Sequence, residues 1–230
     1  MSNDPQPIRD AATVILTRMG HEGPEVLMGQ RGASAAFMPN KFVFPGGGVD
    51  AADRQVPLAR SMPAPCLRRL AEGALPGALP GLTPETLAAT AIRELWEETG
   101  LPLATAGDWP VDPVADWALL AARGLMPDAH ALRYVFRAIT PPGRTRRFDA
   151  RFFMADVSGV EGDPDDFSDA QDELAHLQWV PLRRARGFDL PFITEVVISE
   201  ISRLVERGGD PESVPFFDNS GPVPMFRRIS

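Results

Sequence analysis

The residues best suited to chemistry lie in "RELWEETGL", Arg93 to Leu101, where three glutamates and an arginine fall within six positions. At about 100° per residue, Glu94, Glu97 and Glu98 share one helical face, spaced i, i+3, i+4. Gly100 follows as a terminator, so these acids occupy the last turns of the helix. A helix C-terminus carries partial negative charge, and each exposed acid there costs roughly 0.3–1 kcal/mol. Glu94 and Glu98 also repel as an i,i+4 pair, while Arg93 reaches Glu97 at i+4. Two readings are open. One is a solvated acidic face with a single salt bridge. The other is a site where a hard divalent cation, which takes carboxylate and phosphate oxygens as ligands, offsets the repulsion.

The helix that carries these acids is well marked. Thr83 stands at the N-cap position, Pro84 at the first helical position and Glu85 just inside. Leu87, Ala91 and Leu95, with Ala88 and Ile92 beside them, form an apolar face to be buried. Upstream, "KFVFPGGGVD" (Lys41–Asp50) predicts a short strand, Phe42 to Phe44, running into Pro45 and three glycines. Glycines permit close backbone approach to a ligand, although a plain turn would use them too.

Taken together, Arg-Glu-hydrophobe-x-Glu-Glu-x-Gly-hydrophobe downstream of Pro-Gly-Gly resembles the signature of the Nudix hydrolases. Arg93, Glu94, Leu95, Glu97, Glu98, Gly100 and Leu101 meet every fixed position of its second half. The first half departs from it. Glu85 fills the glutamate place, Leu79 stands where a glycine is expected, and about thirty extra residues separate Gly48 from Thr83. The resemblance implies an α/β/α sandwich with a mixed sheet, plus this insertion between the glycine loop and the helix. It also implies Mg²⁺- or Mn²⁺-dependent cleavage of a diphosphate in a nucleoside derivative. By motif position, Glu97 and Glu98 would be metal ligands, and Glu94 a ligand or the base that activates water. A backbone carbonyl of Gly46 or Gly47 would complete the shell, and Arg93 would orient Glu97.

Further stretches look like the branch containing peroxisomal coenzyme A and acyl-CoA diphosphatases: "FVFPGGGVDAAD", "ITPPGRTRRFDARFF" and the insertion itself. Arg31 lies thirteen residues before Phe44, the spacing of the coenzyme A signature, although Ala36 and Asn40 replace two of its residues. ADP-ribose, NADH and dinucleoside polyphosphates are the alternative substrates, and a Nudix fold kept only for ligand binding is the alternative class. Arg31 reads equally as a surface arginine at a strand end. Arg144, Arg146 and Arg147 are either a solvated turn or a clamp on a phosphate, for which arginine supplies bidentate donors. Glu173, before the strand "LAHLQWVP", is either a loop acid or an additional base or ligand. His21, His130 and His176 show no ligand spacing, and Trp96 is expected to pack beneath the helix.

Composition agrees. A chain of 230 residues, 44% hydrophobic, can bury one sizeable core and reads as a single domain, its core about 10–207, the insertion 51–82 and an irregular tail 208–230. A net charge of −8 argues against nonspecific binding to nucleic acid or acidic membranes. The single cysteine, Cys66, excludes an internal disulfide and suggests a reducing compartment. "MSNDPQPIRD" lacks the apolar run of a signal peptide or anchor, and the chain ends "FRRIS", not in a peroxisomal address, so a cytoplasmic protein is expected. Nudix enzymes often pair, which leaves a homodimer open.

Along the chain, Ala11–Met19 and Val26–Arg31 predict a hairpin. Ala131–Thr140 and Arg147–Val157 predict two more strands, with a last strand after the acidic loop "GDPDDFSDAQDE". Helices are expected near Pro65–Gly73, over Pro113–Gly124 and over Leu190–Arg207.

Overall fold

The computed structural model describes residues 7–72 and 80–230. Leu79, the substituted glycine place of the signature, lies outside the described residues. Eleven strands are present among those described: β1 (Ile8–Gly20), β2 (Gly23–Arg31), β3 (Phe42–Val43), β4 (Gly46–Gly48), β5 (Ala104–Ala106), β6 (Leu125–Pro127), β7 (Arg133–Ile139), β8 (Arg147–Asp156), β9 (Leu174–Pro181), β10 (Val214–Asp218) and β11 (Met225–Ile229). The α-helices are α1 (Ala64–Glu72), α2 (Pro84–Thr99), α3 (Ala118–Ala122) and α4 (Phe192–Arg207).

Nine strands form one mixed sheet in the order β11-β10-β7-β8-β1-β2-β3, with β4 also on β1 and β9 also on β2. β1 and β8 run parallel in register from Ile8↔Arg147 to Thr17↔Asp156, while β1–β2 and β7–β8 are antiparallel. Side chains on a strand alternate between faces. In β1, accordingly, Ala12, Val14 and Leu16 enter one core and Ile15 the other. The first core receives Leu87, Ala88, Ala91, Ile92 and Leu95 of α2, and the second receives Val197, Ile198 and Ile201 of α4. Fully burying a Leu or Ile side chain contributes about 1.5–3 kcal/mol, so this three-layer packing, not helix propensity, holds α2 on the sheet. The expected α/β/α sandwich with a mixed sheet is the fold.

Three expectations need correction. The tail is not irregular: β10 pairs in parallel with β7 (Phe216↔Arg137), and β11 closes a hairpin on it. Val214 and Phe216 are buried there. Pro215 disguises the strand, because proline in a run argues against an interior strand. The glycine run is likewise not a loop. Gly46–Gly48 is a strand paired with β1 at Ala12↔Gly47. Finally, Pro113–Gly124 is not one helix, but a 3-10 turn at Ala115–Trp117 and the five-residue α3.

Candidate active site

The predicted caps fix where α2 begins and ends. Thr83 Oγ1 accepts from the Thr86 amide at 3.1 Å, and Gly100 takes the left-handed conformation at φ 75°. The final two turns of α2 face β4. Gly46 and Gly47 are glycines for steric reasons. A Cβ on Gly46 would sit 2.6 Å from the Ala12 carbonyl oxygen and Thr13 Cα, and one on Gly47 would sit 2.5 Å from the Glu94 carboxylate. The missing side chains are what let the backbone and the acids meet.

Arg93 is buried, with its guanidinium spread over five acceptors. Nε donates to Asp53 Oδ1 at 2.8 Å, and Nη2 donates to Asp53 Oδ2 and to the Gly48 carbonyl, both at 3.1 Å. Nη1 meets Glu97 Oε2 at 2.9 Å and Glu94 Oε1 at 3.0 Å. Burial works against this charge, but Asp53, Glu94 and Glu97 outweigh it and hold Arg93 firmly cationic. The predicted contact of Arg93 with Glu97 is thus present.

Glu98 Oε2 accepts from the Gly46 amide at 2.8 Å. In β4, the bonds Val14 N–H to the Pro45 carbonyl and Val49 N–H to the Asp10 carbonyl mark alternate hydrogen-bonded pairs. By that alternation, Ala12 and Gly47 are also such a pair, so the Gly47 carbonyl is committed to the ladder. The expected Gly47 ligand is corrected on this ground. The Gly46 carbonyl points the other way, on the side where its own amide meets Glu98.

Burial pushes the Glu94 carboxyl up to about 7, with Arg93 opposing and Glu97 adding to the rise. Burial, then the neighbouring Glu94, raises Glu98 well above the usual carboxylate range, against the Gly46 amide. Glu97 is raised mainly by burial. Glu173, exposed just before β9, lies near enough for its charge to raise both Glu94 and Glu98. Arg31 favours the ionised Glu98, and its Nε is buried with no hydrogen-bond partner. The fold thus brings Arg31, Gly46, Arg93, Glu94, Glu97, Glu98 and Glu173 to one place.

Arg147 is elsewhere. It is buried, with Nε on the Thr140 carbonyl at 3.0 Å and Nη2 on the Asn219 carbonyl at 2.8 Å. It is buried and turned onto backbone carbonyls, so a phosphate clamp there is withdrawn; Arg144 and Arg146 are exposed in the turn. Glu85 is exposed in the first turn of α2, away from the acids. Trp96 is buried under the Arg123 guanidinium, 4.9 Å from the ring centroid.

Asp53 was missed from sequence. It is 1% exposed, lies in a 3-10 turn (Ala52–Gln55) at the start of the insertion, and also accepts from Thr90 Oγ1 at 2.7 Å and the Asp50 amide at 2.9 Å. Asp50 in turn accepts from the Ala52 amide. The reciprocal spacing Asp50-x-x-Asp53, close to a capping box, was the available signal.

Among the described residues, no three His, Cys, Asp or Glu side chains stand ready to hold an ion as they lie. Glu97 is drawn onto Arg93 and Glu98 onto the Gly46 amide. The charge balance nevertheless suits a cation. Asp53, Glu94 and Glu97 surround the Arg93 guanidinium with Glu98 nearby, and Glu94 and Glu98 are raised by burial and by neighbouring carboxylates. All the donors are oxygens, the set that hard divalent ions take.

A mixed sheet sandwiched by helices, with a carboxylate-bearing helix end against a glycine strand, defines the class as a Nudix-type α/β protein. No model of a protein family matches the chain. The acyl-coenzyme A diphosphatase NUDT19 of Gallus gallus is 29% identical over 232 residues, covering 74% of this chain. The chain spans about 60% of that relative's length. A NUDIX hydrolase from Alicyclobacillus acidocaldarius shares the fold with a TM-score of 0.59 and 27% identity, over 87% of this chain and 96% of its own. The chain thus shares the fold of a Nudix hydrolase and is similar to Nudix hydrolases in sequence.

Proposed function

We propose that this chain, acting as one domain, hydrolyses the diphosphate bond of a nucleotide derivative with Mg²⁺ or Mn²⁺ as cofactor. We assign coenzyme A or an acyl-coenzyme A as substrate, giving 3′,5′-ADP and (acyl-)4′-phosphopantetheine. The observation that carries the reading is the pair of buried carboxylates, Glu94 and Glu98, beside a guanidinium, Arg93, already shared among Asp53, Glu94 and Glu97. A purely structural cluster has no reason to bear that cost. The substrate assignment leans on the similarity to the chicken acyl-coenzyme A diphosphatase and on the branch-like stretches around Arg31 and the insertion.

Glu97, Glu98 and the Gly46 carbonyl would hold the ion, with Glu94 as a further ligand or as base. When bound, the ion supplies positive charge to the non-bridging diphosphate oxygens. The chain's own groups do the rest. Arg93 fixes Glu94 and Glu97 from behind without reaching substrate, and Arg31 offers a cation beside the acids for a phosphate. Water attacks one phosphorus, the bridging P–O bond breaks, and the departing phosphate keeps the electron pair. Glu94 and the exposed Glu173 are our candidates to take the water's proton. Glu94, whose carboxyl burial pushes up to about 7, is matched to that task.

The test is turnover of coenzyme A, ADP-ribose, NADH and diadenosine polyphosphate by the wild type and Glu98→Gln, each with Mg²⁺ or Mn²⁺. We expect release of 3′,5′-ADP by the wild type alone. Absence of product from every compound would leave a ligand-binding role in its place.

A further inference from the structure

We infer that a surface cavity between the end of β9 and α4 is a second binding site, one for a small phosphorylated molecule. The cavity measures about 340 Å³ and is lined by arginine and serine side chains around Leu182 and Ile198, with no carboxylate among them. It is separate from the acidic site. Glu173 precedes β9 and Leu182 follows it, so all eight residues of that strand, roughly 26 Å at about 3.3 Å each, lie between the two places. The helix that walls the cavity, α4, also packs on the opposite core from α2.

Local structure explains why the charges converge. After β9 the chain turns tightly, the Arg184 amide donating to the Pro181 carbonyl at 2.8 Å and the Gly187 amide to the Arg184 carbonyl at 2.9 Å. Residues three apart eclipse in a turn of this kind, so Arg183 and Arg186 both line the cavity, while Arg184 reaches Glu22 at 2.8 Å. On α4, Ser199, Ser202 and Arg203 are spaced i, i+3, i+4 and share one face. Arg186 Nη2 donates to Ser199 Oγ and so joins the two walls. That hydroxyl keeps its own hydrogen for an incoming oxygen. Ser202 Oγ instead donates to the Ile198 carbonyl at 2.8 Å.

The positive charge here is not cancelled. Glu22 serves two guanidiniums, Arg183 at 2.6 Å and Arg184 at 2.8 Å. Glu200 stands 3.6 Å from Arg203 and 3.7 Å from Arg228. Among the described residues Arg186 has Ser199, and no carboxylate, as its partner. This surplus sits in a chain whose net charge is −8. Guanidinium forks match phosphate oxygens in bidentate pairs, and the Ser199 hydroxyl adds a donor beside them. The volume falls within the range of small-molecule sites, about 300–1,000 Å³, and Leu182 and Ile198 offer apolar surface to the carbon part of the ligand. The acidic balance of the whole chain disfavours an extended anionic surface, which leaves a soluble phosphate compound as the occupant.

The test is isothermal titration of the full chain with inorganic pyrophosphate in EDTA, at an ionic strength held with chloride, for the wild type, Arg186→Ala, Arg203→Ala and Arg31→Ala. Saturable binding is expected of the wild type. Arg186→Ala should weaken it by at least about tenfold, the usual effect of losing a hydrogen bond to a charged group. Arg31→Ala should bind as the wild type does, because Arg31 lies beside the acids and not at this cavity. Arg203 is largely exposed, so Arg203→Ala keeps the fold and should also weaken binding. Absence of saturable binding overturns the inference, as does unchanged affinity in folded Arg186→Ala or, if that variant does not fold, in Arg203→Ala. A loss confined to Arg31→Ala would put the probe in the acidic site and overturn it too. Capture of the chain by phosphatidylserine vesicles without any uptake of pyrophosphate would make a lipid surface the ligand and refute the soluble one.

Discussion

Replacing Glu94 by glutamine should stabilise the protein when no divalent ion is present, and the gain should depend on pH. In the fold, burial moves the Glu94 carboxyl from its ordinary 4.5 to about 7. That displacement corresponds to about 3 kcal/mol between its ionised and neutral forms. The native state binds the proton more tightly than the unfolded chain, so this group's contribution to stability falls as pH rises from about 4.5 to about 7, then levels off. Glutamine does not titrate, and its amide oxygen can still accept from Arg93. At pH 5 the variant and wild type should therefore melt close together. At pH 8 in EDTA the variant should lead by up to about 3 kcal/mol, which for a chain of this size is roughly 6–12 °C. Differential scanning calorimetry across that range, in EDTA and then in millimolar Mg²⁺ or Mn²⁺, reads both arms. The ion should raise the wild type by mass action and shrink or reverse the gap. A variant that melts below the wild type at pH 8 in EDTA, or a gap that ignores pH, would refute the claim that Glu94 is held ionised at a cost.

The glycine strand separates site from scaffold. Gly47→Ala places a methyl against the mobile end of Glu94 and should cut activity by about 10–100-fold with little change in melting temperature, whereas Gly46→Ala meets the β1 backbone and should lower the melting temperature itself. Calorimetry beside the turnover assay distinguishes the two. Asp149→Ala strips the buried Arg137 of the carboxylate that it grips at 2.8 and 2.6 Å, and denaturant unfolding should show a loss of about 3–5 kcal/mol. Gly100→Ala, at φ 75° and with its new Cβ 3.1 Å from the Ala170 amide nitrogen, should cost about 1–2 kcal/mol in the same assay.

What could be read from sequence was local. The caps of α2, its apolar stripe and the Arg93–Glu97 pair all lie within one helix, where spacing fixes neighbours. The misread parts depend on partners far along the chain. Gly46–Gly48 becomes a strand because β1 lies beside it, and three glycines carry no pattern that announces a strand. β10 is recognisable only once β7 is in place some eighty residues earlier, and Pro215 points the wrong way. Arg147 resembles a free surface cation until Asn219 arrives with its carbonyl. Asp53 meets Arg93 across forty positions, from a stretch of the insertion ahead of its expected helix where no helical or strand period marks it.

These long-range contacts also explain how an inserted segment can sit between the glycine strand and α2 without disturbing the acids. What the site requires of the chain between them is a counter-charge for Arg93 and a stop that keeps β4 against the helix. Asp53 supplies the first within five residues of Gly48, and the Arg93 bond to the Gly48 carbonyl supplies the second. The chain can then wander through α1, where Cys66 and Leu70 join the core, before Thr83 caps α2. The added length costs little because loop-closure entropy grows only slowly with length, by about 0.6 kcal/mol per doubling. A change in the length of the insertion beyond Asp53 should thus affect the acids far less than the loss of one carboxylate at its start.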